Sequence, residues 1–270
     1  MSDFLDTMKR ASRVRVLEAS RALPVGLLRM RALDTPRPPA LRFDDTRFDL
    51  IAEIKRRSPS AGELSDRPLA IAARATDYAR GGAAAVSVLT EPSRFGGELS
   101  HLASAAVALA PLGVPAMRKD FLVDPYQVYE ARAAGAGGVL LILRMLADAE
   151  LRALLDAAAE CALFVLLEAF DAADLERARS LVLAASAVVG LNARDLATLA
   201  VETARFEFLR DAFPCGVRRV AESGIDDADG VARVAALGYD LALAGTALMR
   251  ARDPAALIAE MLCAGRAARS

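Results

Sequence analysis

In the stretch FDLIAEIK, positions 48–55, alternate residues share one side of an extended chain, so Ile51, Glu53 and Lys55 face one way and Ala52 and Ile54 the other. A carboxylate and an ammonium on one face of an apolar run can move protons or hold an anion. The pattern returns along the chain: later apolar runs finish in Lys119, in Glu168, in Asn192 with Arg194 just beyond, and in Glu222. Any one of these charges could simply be solvated where its run ends. Two lysines and three glutamates brought to one partly desolvated place would instead couple and displace one another's pKa values toward acid or base work. Acid–base chemistry has few other carriers here. His101 is the only histidine and is expected at the surface, which excludes a multi-histidine metal site. Cys161, Cys215 and Cys263 lie far apart with no C-x-x-C pair, so they are expected as small buried hydrophobes, and neither a disulfide framework nor a thiolate metal cage is expected.

A second set of residues could hold a phosphate. ESG at 222–224 and AGT at 244–246 each follow an apolar run. Gly224 and Gly245 permit close approach of a ligand to the backbone, and the hydroxyls of Ser223 and Thr246 can donate further hydrogen bonds. KRRSPSAG at 55–62 adds Ser58 in a loop beside the first run, within reach of a phosphate or sugar; a plain Ser-Pro turn is its other reading.

The elements that must position these groups are eight short apolar runs: 48–54, 84–89, 114–118, 138–143, 163–168, 187–191, 218–222 and 240–244. They alternate with Ala-rich helical stretches at the spacing of one strand, one helix and two loops, which predicts an α/β fold, a (β/α)8 barrel rather than an open sheet. In such barrels the C-terminal strand ends carry the chemistry, and the charges above sit at those ends. Pro68 is expected to open one helix that Gly81-Gly82 closes, and Pro125 another that stops at Gly135. Residues 1–47 read as an extension, a helix over Asp3 to Ala19 and a Pro-rich connector TPRPPA at 35–40, ahead of a catalytic barrel over 48–270.

Composition narrows the partners. The 270 residues are 54% hydrophobic, enough for a large single core. With 34 basic and 35 acidic residues the net charge is -1, so no footprint for nucleic acid or an anionic membrane is expected and any anion site must be local. The apolar stretches are too short to span a bilayer and the start MSDFLDTMKR lacks a signal-peptide core, so a cytoplasmic protein is expected.

The segments IAEIKRRSPSAG (51–62), SVLTEPSRFGG (87–97), MRKDFLVDPYQVYEARAAGA (117–136), GLNARDL (190–196), AESGI (221–225) and AGTALM (244–249), in this order and spacing, resemble the indole-3-glycerol-phosphate synthases of tryptophan biosynthesis. The resemblance covers nearly the whole chain, the N-terminal helix included. It implies conversion of 1-(2-carboxyphenylamino)-1-deoxyribulose 5-phosphate to indole-3-glycerol phosphate, carbon dioxide and water, with no cofactor and no metal. By the same resemblance Lys119 is the general acid and Lys55 the lysine near the substrate carboxylate. Glu168 and Glu53 orient the lysines or accept a proton, Glu168 ranked ahead as base. Asn192, Arg194 and Glu222 bind the hydroxyl and anthranilate portions; Ser58, Ser223, Gly224, Gly245 and Thr246 contact the sugar phosphate; Phe121 and Leu140 wall the aromatic ring. The chain departs from the family pattern after the fifth run, where Ala169-Phe170 replaces a pair ending in His and is expected to point toward the following loop. It departs again in SRFGGE, where Arg94 and Glu98 are unusual while Phe95 and Gly97 match, and at Ala193 and Gly137. Two other readings stand beside this one: a phosphate-binding barrel whose Lys119 or Lys55 forms a Schiff base, and a barrel that binds its ligand without turnover. A monomer or weak homo-oligomer is expected.

Overall fold

The computed structural model describes residues 3–43, 47–58, 62–63, 70–181, 187–196 and 198–269. Eight parallel strands close into a ring: β1 (Asp49–Ile54), β2 (Ala85–Leu89), β3 (Ala116–Lys119), β4 (Gly138–Ile142), β5 (Phe164–Ala169), β6 (Ala187–Asn192), β7 (Arg219–Glu222) and β8 (Leu241–Ala244). Each pairs with its neighbours in sequence, and β8 returns to β1 with Ile51 opposite Leu243 and Ala52 opposite Ala244. This is the expected (β/α)8 barrel, and each strand overlaps its predicted run to within a few residues. Strands buried on both faces explain the unbroken apolar runs: all six residues of β1, polar Asp49 and Glu53 included, are buried.

The major helices, in order, are α1 (Asp3–Ala22), α2 (Val25–Asp34), α3 (Ile71–Arg80), α4 (Leu99–Leu109), α5 (Pro125–Ala133), α6 (Asp148–Glu160), α7 (Ala172–Leu181), α8 (Ala228–Ala236) and α9 (Pro254–Arg269). Their ends follow local chemistry. Asp124 accepts a hydrogen bond from the Tyr126 N–H at 2.8 Å and Pro125 occupies the first turn of α5, while Asp227 accepts from the Gly230 N–H at 2.8 Å to cap α8. The helix α3 stops at Gly81-Gly82 as expected, whereas its predicted opening at Pro68 lies outside the described residues. At the seam, Gly265 of α9 lies so near Phe48 that a Cβ there would stand 2.6 Å from the ring, and the helix closes over the entrance to β1.

The N-terminal segment holds more structure than its sequence suggested. The first helix runs on to Ala22, and α2 occupies what reads as the approach to the connector. In α2 only Leu28 and Ala32 are buried, one turn apart, while Leu27, Met30 and Leu33 face solvent, so its apolar residues do not mark one face. It packs on α5, and Tyr126 donates to the Leu23 carbonyl at 3.0 Å. The helix α1 lies across the strand ends: Lys9 donates to the Met145 carbonyl at 2.8 Å and pairs with Glu150 at 2.9 Å. Cys161 is buried, and burial pushes its thiol up to about 11. Against expectation, Cys215 and Cys263 are exposed, the one in the loop before β7 and the other on the outer side of α9. His101 is partly exposed on α4.

Candidate active site

The C-terminal ends of the strands surround a cavity of about 500 Å³. Of the sequence-predicted residues, Glu53, Lys55, Lys119, Phe121, Leu140, Glu168, Asn192, Arg194, Glu222, Ser223, Gly224, Gly245 and Thr246 all line it. The side chain of Ser58, and residues 59–61 of its loop, lie outside the described residues; the Ser58 backbone pairs with Gly62 in a two-residue hairpin.

Strand register builds the floor. Lys119 ends β3 opposite Leu89, Glu168 stands opposite Gly190, and Asn192 stands opposite Glu222. Because Gly190 has no side chain, Glu222 can lean across from β7: a Cβ at Gly190 would lie 2.0 Å from Glu222 Oε1. The Lys119 ammonium then sits 3.3 Å from Glu168 Oε1 and 3.3 Å from Glu222 Oε2. Asn192 Nδ2 donates to the same Glu168 oxygen at 2.8 Å, and Asn192 Oδ1 accepts from the Arg194 backbone N–H at 2.9 Å, which fixes the amide's orientation. Lys55 pairs with Glu53 at 2.8 Å, again beside a glycine: a Cβ on Gly245 would stand 2.5 Å from Glu53 Oε1.

Burial and neighbouring charge displace the proton affinities of Lys119, Glu53 and Glu222, and of these only Glu222 moves toward neutrality. Burial works against the Lys119 ammonium, but Glu168, Glu222 and Glu53 outweigh it and hold the lysine above its ordinary value. Burial likewise opposes the Glu53 carboxylate, and Lys55, Lys119 and Arg194 overcome that to hold it below the usual range. Glu222 goes the other way: burial, with Glu168 and Glu53 nearby, outweighs Lys119 and pushes it up to about 8. Its Oε1 is fully buried with no hydrogen-bond partner among the described residues.

Beside this floor, after β7 and after β8, the chain makes two tight turns. Ser223 and Gly224 adopt φ of 71° and 74°, and a side chain at Gly224 would collide with Val201 and Thr203. A left-handed serine is uncommon and belongs with functional turns. Gly245 precedes the short helix Thr246–Arg250. Both turns face the cavity with hydroxyls and glycine backbone, a suitable setting for a phosphate. Among the described residues no three carboxylate, thiol or imidazole groups are arranged to hold a metal ion.

Several lining residues escaped the sequence reading. Phe4 and Leu5 come from α1, and Phe4 stacks edge-on against Phe121 at 5.8 Å between ring centres. No local pattern could have found them, since docking of α1 is what brings them there. Phe95, from the short helix Pro92–Phe95 after β2, lies 6.3 Å from Phe121 between ring centres. The expectation that Ala169-Phe170 points to the following loop is corrected: β5 runs through Ala169, and Phe170, two residues past Glu168, is buried and lines the same cavity. Carrying the strand's alternation two residues further would have found it. Asp120, beside Lys119, also reaches the cavity. Its buried carboxylate accepts from Arg15 of α1 at 2.7 and 3.0 Å and from Thr90 at 2.8 Å.

Similarity to known proteins agrees with this geometry. A family model described as indole-3-glycerol phosphate synthase matches residues 10–261. A curated protein named indole-3-glycerol phosphate synthase from a Nocardioides species is 44% identical over 252 residues, covering 92% of this chain and 94% of that one. Another of that name, from a Parafrankia species, is 39% identical over 267 residues, covering 98% and 96%. Among solved structures, 3-hexulose-6-phosphate synthase from Salmonella typhimurium superposes with a TM-score of 0.61 at 16% identity, over 80% of this chain and 98% of that one. Tryptophan synthase from M. tuberculosis gives 0.58 at 16% identity, over 82% and 93%. At such identities these two likenesses carry the fold alone. The family model and the two curated relatives span nearly the whole sequence, and the chain belongs to the indole-3-glycerol phosphate synthase family.

Proposed function

We propose that this site converts 1-(2-carboxyphenylamino)-1-deoxyribulose 5-phosphate into indole-3-glycerol phosphate, carbon dioxide and water, with Lys119 as the acid of ring closure. The family makes the chain a carboxy-lyase of tryptophan biosynthesis acting on a small phosphorylated substrate. The observation that carries the assignment of roles is the ammonium of Lys119 held 3.3 Å from both Glu168 and Glu222 on the cavity floor.

The substrate's phosphate rests on the turns at Ser223-Gly224 and Gly245-Thr246, and its aromatic end reaches the far wall at Phe121 and Leu140. The ring carbon bearing the carboxylate attacks the ketone carbon, and the ketone oxygen takes a proton from Lys119 as the new carbon–carbon bond forms. Lys55 holds the substrate carboxylate until the bond to it breaks, carbon dioxide leaves and its electrons restore the aromatic ring. In the last step the new hydroxyl leaves as water after protonation by Lys55, while a carboxylate takes the proton from the adjacent ring carbon. Glu168 is the first candidate for that base because Asn192 and Lys119 fix its position; Glu53 is the second. Asn192, Arg194 and Glu222 bind the hydroxyl and anthranilate portions, and Ser58 adds a sugar-phosphate contact. No cofactor takes part.

Schiff-base chemistry is the weaker reading, because a nucleophilic lysine must be neutral and the glutamates around Lys119, Glu168 first among them, keep it protonated. Residues 1–47 and the barrel at 48–270 act as one catalytic unit, since Phe4 and Leu5 wall the cavity. The free cysteines suit a reducing cytoplasm, and a monomer or weak homo-oligomer completes the proposal. The experiment is a fluorescence assay for indole-3-glycerol phosphate with no added metal or cofactor. Product should form, and Lys119→Ala should lower turnover by roughly 10²-fold or more. Near-normal turnover in that variant removes Lys119 as the acid, and a borohydride-stable adduct on either lysine would replace this mechanism with the Schiff-base one.

A further inference from the structure

In the closed ring the strands four places from β7 and β8 are β3 and β4, with β5 next to β4. A ligand whose phosphate rests on the turns after β7 and β8 therefore directs its other end toward the arc made by Phe121, Leu140, Ile142 and Phe170. Phe170 is the part of this arc held from behind by a cation. Its backbone N–H donates to Asp174 Oδ2 at 2.9 Å, and the same oxygen accepts from Arg144 Nε at 2.8 Å. Arg144, in the turn after β4, lays its guanidinium over the Phe170 ring at 4.7 Å from the ring centre and also pairs with Asp171 at 2.5 Å. A cation at that distance attracts the ring's electron-rich face. Asp171 in turn accepts from the Asp174 N–H at 3.0 Å, which fixes the start of α7. Phe170 is thus held at its backbone and its ring from behind, and the residue is 3% exposed.

We propose that Phe170, clamped by Arg144 and Asp174, is a specificity-determining residue that fixes how large a group the aryl end of the substrate can carry on the β5 side. The proposal rests on the function proposed above and deepens it. A wall that can move accommodates an added methyl or chloro group by yielding; one tied at the backbone and stacked under a guanidinium must reject it or distort. Such a pocket discriminates between aryl groups differing by one small substituent by roughly 10 to 200-fold.

The test compares the parent carboxyphenylamino-deoxyribulose phosphate with analogues carrying one methyl or chloro group at each free ring position. Wild-type turnover of the parent checks the function itself, and its absence would overturn that reading whatever the variants do. Given that turnover, at least one ring position should be disfavoured in kcat/KM by roughly 10-fold or more in the wild type. Phe170→Ala should recover most of that loss for that position alone, through KM more than kcat. Phe170→Leu keeps apolar bulk and should move the ratio the same way by a smaller factor, so it carries the test if the alanine variant does not fold. Arg144→Met, which frees the ring without emptying the wall, should also relax the ratio. Discrimination that is equal at all ring positions, or unchanged in the Phe170 variants, overturns the proposal.

Discussion

Glu53, Glu168 and Glu222 share one floor with Lys55, Lys119 and Arg194, and burial there makes every charge costly, so a proton on one carboxyl lowers both its desolvation cost and its repulsion from the other two. Glu222 is the group that takes it, raised to about 8 by burial and the neighbouring glutamates despite Lys119. The sign of the consequence is set by linkage. A carboxyl whose folded value is raised contributes stability in full below the ordinary carboxylate pKa, and that contribution is lost as the pH rises through about 8. Glutamine never ionises, so Glu222→Gln should gain thermal stability relative to wild type as the pH climbs from about 5 to about 9. Melting curves across that range check it, and a pH-independent difference would count against the protonated form. Every charged residue of this floor was legible in the sequence, because charge at the end of a buried strand is conspicuous. The sense in which Lys119, Glu53 and Glu222 shift was not, because it depends on distances such as the gap Gly190 leaves for Glu222.

The barrel strands were legible because burial on both faces demands unbroken apolar runs, and α2 was not because its apolar residues do not gather on one side. The most consequential element for the cavity is α1. Its Arg15 grips Asp120, which lies next to Lys119, and its Ser12 donates to the Phe121 carbonyl at 2.5 Å. The guanidinium of Arg15, with Arg118 and a hydrogen bond from Thr90, overcomes burial and holds the Asp120 carboxyl down at about 2. Removing Arg15 leaves a buried carboxylate with fewer partners. Arg15→Ala should therefore cost about 1–3 kcal/mol in urea unfolding and lower kcat as the segment carrying Lys119 loosens. Arg13, half-exposed and paired with Glu150, is the matched control, with an expected cost of about 0–1 kcal/mol. Equal losses in the two variants would mean that α1 is not held through Asp120. Nothing in the spacing of Arg15 announces this bond, since its partner lies 105 positions away.

For the whole molecule, closing the sheet leaves no strand edge in the barrel, so the cavity walls are fixed by register on both sides of every strand. That closure was inferred from the count of eight runs, and the chain honours it by bringing α9 back over Phe48. The roof is assembled on different terms. Ser12, Arg15 and Lys9 reach partners 109, 105 and 136 positions further along the chain, more than the separation of strands that follow one another in sequence and less than the 192 positions between the paired Asp49 of β1 and Leu241 of β8. Contacts of such range form late, because the loop they close must already be ordered to repay its entropy. On refolding from urea, helical circular dichroism should thus return before catalytic activity, and simultaneous recovery would show that the roof docks with the barrel rather than after it. During synthesis the helix leaves the ribosome roughly 5–20 s before Asp120 does, at ordinary elongation rates. For that interval Leu5 and Met8, buried in the finished molecule, have no barrel to cover them.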